Sequence, residues 1–264
     1  MNVEFTKHLK TGNWSDLSIA LNNRKNNLLL EQITDKQARV VEKLKTNPNG
    51  FFNFEEFGLI NELAVHIHKM WQPKDNLKIY FFGGLDKRTE KVFNLAREWS
   101  NYCSITFQIT DKLEESSLRV AFNEPGSWSY LGTDAIGIQL HKPTINFGWL
   151  VPGTEEREYR RVVLHEFGHA LGLLHEHQSP AAKVNWGKDF VYWYCQFYFK
   201  WSRQEVDDNI FYEFEKTQTK FTEVDKKSIM GYWIPPKFTI DQVSFPLNYD
   251  LSDLDKKYIG EIYP

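Results

Sequence analysis

His165-Glu-Phe-Gly-His-Ala-Leu-Gly-Leu-Leu-His-Glu-His177 places four of the chain's eight histidines within thirteen residues. If this stretch begins on a helix, His165 and His169 lie four residues apart, so both imidazoles leave one face about one turn from each other. That spacing suits two nitrogens on one tetrahedral Zn²⁺ at roughly 2.0–2.1 Å. Glu166 sits about 100° around the helix, beside such an ion and not on it, where a general base is wanted. Val163, Phe167, Ala170 and Leu171 form the opposite, apolar face that anchors the helix in a core. Gly172 can adopt the left-handed conformation that ends a helix, which lets the chain turn and return His175 as a third ligand. Three protein ligands leave one position for water, the mark of a catalytic rather than a structural zinc site.

The bland alternative is a helix whose histidines are surface or core residues. The pattern HExxHxxGxxH fixes five positions, and average residue usage makes a chance match in a chain of this length about one in 10⁵. The bland reading fails on that number.

Upstream of the histidine helix the sequence alternates between strand and helix patterns. LKIYFF (77–82), SITFQIT (104–110), SLRVAF (117–122) and TINFGW (144–149) read as strands, and residues 86–100 as a helix. The histidine helix itself is expected to start at Thr154 as N-cap, with Glu155, Glu156 and Glu158 favouring its positive end. Downstream, residues 187–200 read as a helix, and a last helix starts at Ser252 with a Ser252/Asp255 capping box. The segment before Pro73 reads differently. Thr34 and Gln37 fit a capping box with Ile33 as staple, Val40, Val41 and Leu44 make a stripe, NPNG (47–50) is a turn, and Ile60, Leu63, Ile67 and Met70 extend a second helix to Met70. The expected architecture is therefore α+β. A helical segment over 1–70, serving docking, export or as a pro-segment, precedes a domain over 71–264. In that domain a mixed twisted sheet with the active-site helix faces a mostly helical and irregular C-terminal subdomain across a cleft.

Composition sets the outer limits. The 264 residues are 41% hydrophobic and 16% aromatic, enough for a real core. A net charge of −3 with no basic stripe argues against nucleic acid as a partner. No run of apolar residues is long enough for a membrane span. The first residues, MNVEFTKHLKTGNWSDL, lack the apolar core of a signal peptide, so secretion without a recognisable signal, with delivery into a host cell as one route, is the expectation. Cys103 and Cys195 are the two cysteines, expected as free or partly buried thiols. His66 and His68 (HIH) point apart on a helix and are not expected to share an ion. His177 is expected to be solvated, the aromatic run around 190–201 to be core or cleft wall, and the protein to be a monomer.

Two further segments carry a resemblance. HEFGHALGLLHE resembles the long zinc motif of the metzincin peptidases, and SIMGY (228–232) resembles their Met-turn. Tyr232, two residues after Met230, together with Glu176, GSWSYLGTDA (126–135) and PTINFGW (143–149), is similar to the astacin branch. The resemblance implies a zinc endopeptidase with one Zn²⁺ on His165, His169 and His175, and Tyr232 as an extra, displaceable ligand. It also implies Met230 as an apolar floor and Glu176 as the contact of a new amino terminus made by proteolysis. Glu166 would take a proton from the attacking water and pass it to the leaving amine. An extended protein or peptide substrate would pair with an edge strand near 126–135 or 143–149. The chain departs from the family at Gly231, where histidine is usual, in the sequence QSPAA that follows Glu176 and His177, and in having too few cysteines for the two disulfides of animal astacins. Two other functions compete: a binding module that keeps the fold without catalysis, which an intact Glu166 disfavours, and a zinc hydrolase of another bond, which the Met-turn disfavours.

Overall fold

The computed structural model describes residues 65–264, apart from 125, 149, 200, 215–218 and 221–223. The expectations for helices before Val65 lie outside the described residues. Seven strands and five helices are described: β1 (Val65–His66), β2 (Asn76–Phe81), α1 (Lys87–Ala96), β3 (Thr106–Ile109), β4 (Leu118–Ala121), β5 (Ser127–Ser129), β6 (Ile145–Phe147), α2 (Glu156–Ala170), α3 (Lys188–Tyr194), α4 (Arg203–Val206), β7 (Thr219–Lys220) and α5 (Asp253–Ile262). Strands and helices mix as the α+β reading expects.

Five strands form a sheet in the order β3-β2-β4-β6-β5, parallel except for β5, which runs antiparallel to β6. All four residues of the central strand β4 are buried, as a strand covered on both faces requires. One of them, Arg119, sends its guanidinium to the carbonyls of Lys142, Ala135 and Ile138 at 2.9–3.1 Å, which holds the loop between β5 and β6. Helix α1 starts at a reciprocal box in which Asp86 Oδ1 accepts from Thr89 N (2.8 Å) and Asp86 N donates to Thr89 Oγ1 (2.7 Å).

Helix α2 lies in the largest core cluster, with Val162, Val163, Leu164, Phe167 and Ala170 all fully buried. Trp99 Nε1 donates to Leu164 O (3.0 Å). Trp71 Nε1 and the Tyr263 hydroxyl satisfy the carbonyls of Ala170 and Leu171, both at 2.7 Å, at the end of the helix where carbonyls lack intrahelical partners. Tyr263 comes from the end of the chain, so α5 closes back on this core, with Tyr258, Ile259 and Ile262 buried beside it. The second subdomain has its own aromatic cluster around Val191, Tyr194, Cys195, Trp201, Ile234, Phe238 and Phe245, as the sequence reading of this run expects. Both cysteines are free thiols.

Several expectations need correction. The helix running to Met70 ends differently: Val65–His66 is a strand paired antiparallel with Thr219–Lys220, followed by a 3₁₀ turn over Ile67–Lys69. A backbone partner from a distant segment outweighs helical spacing in so short a stretch. Lys69 then forms a buried ion pair with Asp134 (2.5 Å). Secondly, 143–149 is not an edge, because β6 lies between β4 and β5; among the described residues the sheet ends at β5. Thirdly, Glu155 and not Thr154 is the N-cap of α2, and the Thr154 hydroxyl is engaged in a tight turn with Val151. The helix expected from residue 187 begins as α3 at Lys188 behind Gly187 as N-cap and passes into a π-helical turn over Cys195–Phe199.

Candidate zinc site

Helix α2 presents His165, Glu166 and His169, each no more than 3% exposed. At its end Gly172 takes φ +95°. Leu173 N donates to Gly168 O (3.0 Å) and Gly172 N to His169 O (2.8 Å), the paired bonds of a glycine-terminated helix. That turn sends the chain back and places His175 against the same point. The Nε2 atom of His169 lies 3.1 Å from that of His165 and 3.0 Å from that of His175. Ligands about 2.05 Å from one tetrahedral zinc are separated by about 3.3 Å, so the three nitrogens fit that ion closely.

The other nitrogen of each ring fixes its orientation. His165 Nδ1 donates to Ile229 O (2.8 Å), His169 Nδ1 to Leu173 O (2.7 Å) and His175 Nδ1 to Gln178 Oε1 (3.0 Å). With Nδ1 protonated in this way, each Nε2 keeps its lone pair for a metal. Among the described residues these three histidines form the one group of His, Cys, Asp or Glu side chains arranged to hold an ion.

Met230 is wholly buried beneath α2. A Cβ at Gly168 would come within 2.4 Å of the Met230 sulfur, so glycine between the two helix-borne histidines lets the Met-turn approach. Asp255 supports the turn. Its carboxylate accepts from Ser228 Oγ (2.6 Å), Ile229 N (2.8 Å) and Ser252 N (2.8 Å). Burial lifts its pKa to about 6 despite those three bonds. The same residue therefore takes part in the cap of α5 and holds Ile229, the residue whose carbonyl aims His165.

The Tyr232 ring lies 4.4 Å from His175, 5.0 Å from His177 and 6.2 Å from His165, centroid to centroid. Burial raises its phenol well above the ordinary range, so it stays a protonated donor. His177 is 6% exposed and stacks on His175, which corrects its expected solvation. Glu176 is also buried. Its Oε2 accepts from Asp225 N (3.1 Å), while Oε1 has no hydrogen-bond partner among the described residues. Desolvation first, then Asp255, raises its pKa well above the usual carboxylate value.

The structure thus brings His165, Glu166, His169, His175 and Tyr232 together. Nothing in the residue pattern points to the Ile229 and Leu173 carbonyls, since a backbone carbonyl carries no residue signature. Gln178 and Asp255 are legible only as a neighbour and a helix cap.

A family model described as Astacin, a family of peptidases, matches residues 64–234. A solved structure of myroilysin is 39% identical, covers 76% of this chain and 98% of its own, and superposes with a TM-score of 0.73. A crystal structure of myroilysin is 36% identical over 81% of this chain and 94% of its own, with a TM-score of 0.55. The hatching enzyme HCE-1, a zinc-protease from Oryzias latipes, is 15% identical over 81% of this chain and 98% of its own, with a TM-score of 0.49. No curated protein matches. The family match spans well over half the chain, and the three clustered histidines lie within it: the protein belongs to the astacin family of zinc metalloendopeptidases.

Proposed function

We propose that the protein hydrolyses peptide bonds within proteins or peptides, with Glu166 as general base and Tyr232 as hydrogen-bond donor to the reacting oxygen. The observation that carries this reading is the convergence of three Nε2 atoms beside the wholly buried Glu166. When bound, Zn²⁺ polarises the scissile carbonyl and acidifies a water. His165, His169 and His175 hold the ion. Glu166 takes the proton of the attacking water at its carboxylate and delivers it to the leaving nitrogen. Tyr232, protonated and against His175, would serve as a displaceable ligand and would donate its hydroxyl hydrogen to the reacting oxygen as charge develops there. Met230 supplies an apolar base that keeps the histidines from shifting.

A substrate in extended form would pair with β5, the last strand of the sheet among the described residues. Ser127, Trp128 and Ser129 are buried, so that edge must be uncovered before a peptide can add to it. The peptidase unit is assigned to residues 71–264 with 65–70 joined to it through β1 and the Lys69–Asp134 pair. The residues before it are assigned to docking, export or a pro-segment, and secretion would suit the extracellular work of such a peptidase. Among the described residues no helix is long and apolar enough to cross a membrane.

Metal removal tests the reading. Dialysis against a chelator should abolish cleavage of a mixed peptide library, and one equivalent of Zn²⁺ should restore it. Cleavage that survives chelation would sink it.

A further inference from the structure

Two side chains hold the Met-turn. Asp255 takes Ser228 Oγ and Ile229 N. The second is Asn248, which is half-buried and lies twenty residues beyond Ser228. Its Nδ2 donates to the carbonyls of Lys226 (2.8 Å) and Ser228 (2.9 Å), so each of the two amide hydrogens has an acceptor. Ser228 O also accepts from Gly231 N (3.0 Å), the bond that closes the turn. A Cβ at Gly231 would lie 3.0 Å from Ser228 O and 3.5 Å from Asn248 Nδ2. The amide thus lies beside a position that carries no side chain, the same Gly231 at which the chain departs from the family's usual histidine.

The next two residues reach the zinc-site helix. The Arg157 guanidinium lies over the Tyr249 ring, 5.1 Å from its centroid, and Asp250 pairs with Arg160. Both contacts are at the surface, and each alone stabilises little. In succession, however, residues 248–250 join the Met-turn to α2. The turn carries what the metal centre needs from this part of the chain. Ile229 O receives His165 Nδ1 (2.8 Å), Met230 packs against Gly168, and the Tyr232 ring lies 4.4 Å from His175. All three residues fall within four positions of Ser228, so a shift of the Ser228 carbonyl is passed to each of them.

We propose that Asn248 is a positioning residue for the metal centre. By donating to the Lys226 and Ser228 carbonyls it holds the Met-turn in register with α2, so that Ile229 O meets His165 and Tyr232 meets the reacting oxygen. The part that concerns Tyr232 rests on the endopeptidase reading. The competing reading is that the amide only closes a surface loop. Its loss would then lower stability and leave zinc affinity as it was.

Asn248→Asp keeps the size of the side chain but loses its N–H donors and sets a carboxylate against two carbonyl oxygens. Asn248→Ala removes the contact outright. In the full-length protein, chelator competition should show zinc bound about tenfold or more weaker in both variants, the scale expected when the outer support of a ligating histidine is lost. At saturating zinc, kcat should fall about tenfold or more while KM stays within about twofold, because the contacts that Asn248 positions act in the transition state. Asn248→Gln, which keeps both donors on a longer stem, should recover part of each loss relative to Asn248→Ala. Wild-type zinc affinity in Asn248→Asp, or in Asn248→Ala if the first variant does not fold, overturns the proposal, even where thermal stability has dropped. Wild-type kcat at saturating zinc in both variants overturns it as well. A wild-type protein that cleaves no peptide defeats the endopeptidase reading alone, because zinc affinity still decides the role of Asn248.

Discussion

The acid–base roles assigned at the zinc site separate Glu166 from Tyr232 by what each should lose. Glu166→Ala removes the proton carrier but no ligand, so zinc content should stay at one per chain while kcat falls by about 10³-fold or more. Tyr232→Phe removes one donor to the oxyanion, and kcat should fall by about 10–100-fold with zinc retained. Loss of zinc in the first variant, or unchanged turnover in the second, would contradict these roles. The thiols give a check that is independent of catalysis. Burial pushes Cys195 up to about 12 and Cys103 to about 11, so only about one thiol in a thousand or fewer is ionised at pH 8. Native protein should therefore react slowly with a thiol reagent at pH 8, faster as pH rises toward 11, and at two sites at once after denaturation. Fast reaction at pH 8 would show that these groups are more exposed than the structure has them.

At the scale of the element, the histidine helix is legible because its signals are local. Four-residue spacing, an apolar opposite face and a glycine stop need no distant partner, and the structure repeats each of them. Gly172 makes this quantitative. At φ +95° an alanine costs about 1–2 kcal/mol in backbone strain, and relief of that strain would swing His175 away from its two partners. Gly172→Ala should thus bind zinc more weakly than wild type in chelator competition; equal affinity would mean that the turn tolerates a side chain. Elements whose identity depends on partners are less legible. Val65–His66 is a strand because Thr219–Lys220 lies beside it, and β6 is interior because β5 folds outside it. Neither fact is written in the residues themselves. The N-cap of α2 lies one residue beyond Thr154 because that threonine, a good cap by type, is held in a turn with Val151.

Across the whole molecule, the end of the chain supports the metal site at its middle. Asp255 joins the cap of α5 to the Met-turn, the Met-turn carbonyl of Ile229 aims His165, and Tyr263 closes the end of α2. From sequence, Asp255 reads only as half of a capping box. Two variants separate its roles. Ser252→Ala loses the cap alone and should cost about 1 kcal/mol. Asp255→Ala also strands the Ser228 hydroxyl and Ile229 N–H in the core, so it should cost about 2–4 kcal/mol in denaturant unfolding and release zinc faster. Equal costs for the two variants would show that the tie to the Met-turn contributes nothing.

A catalytic metal centre with Glu166 as its base is the central claim. The most direct test is cleavage of a mixed peptide library by the full-length protein and its Glu166→Ala variant, read by mass spectrometry, with zinc content measured on both samples. The predicted result is one zinc in each and cleavage by the wild type alone. Equal cleavage by both, or no cleavage by a zinc-loaded wild type, would contradict it.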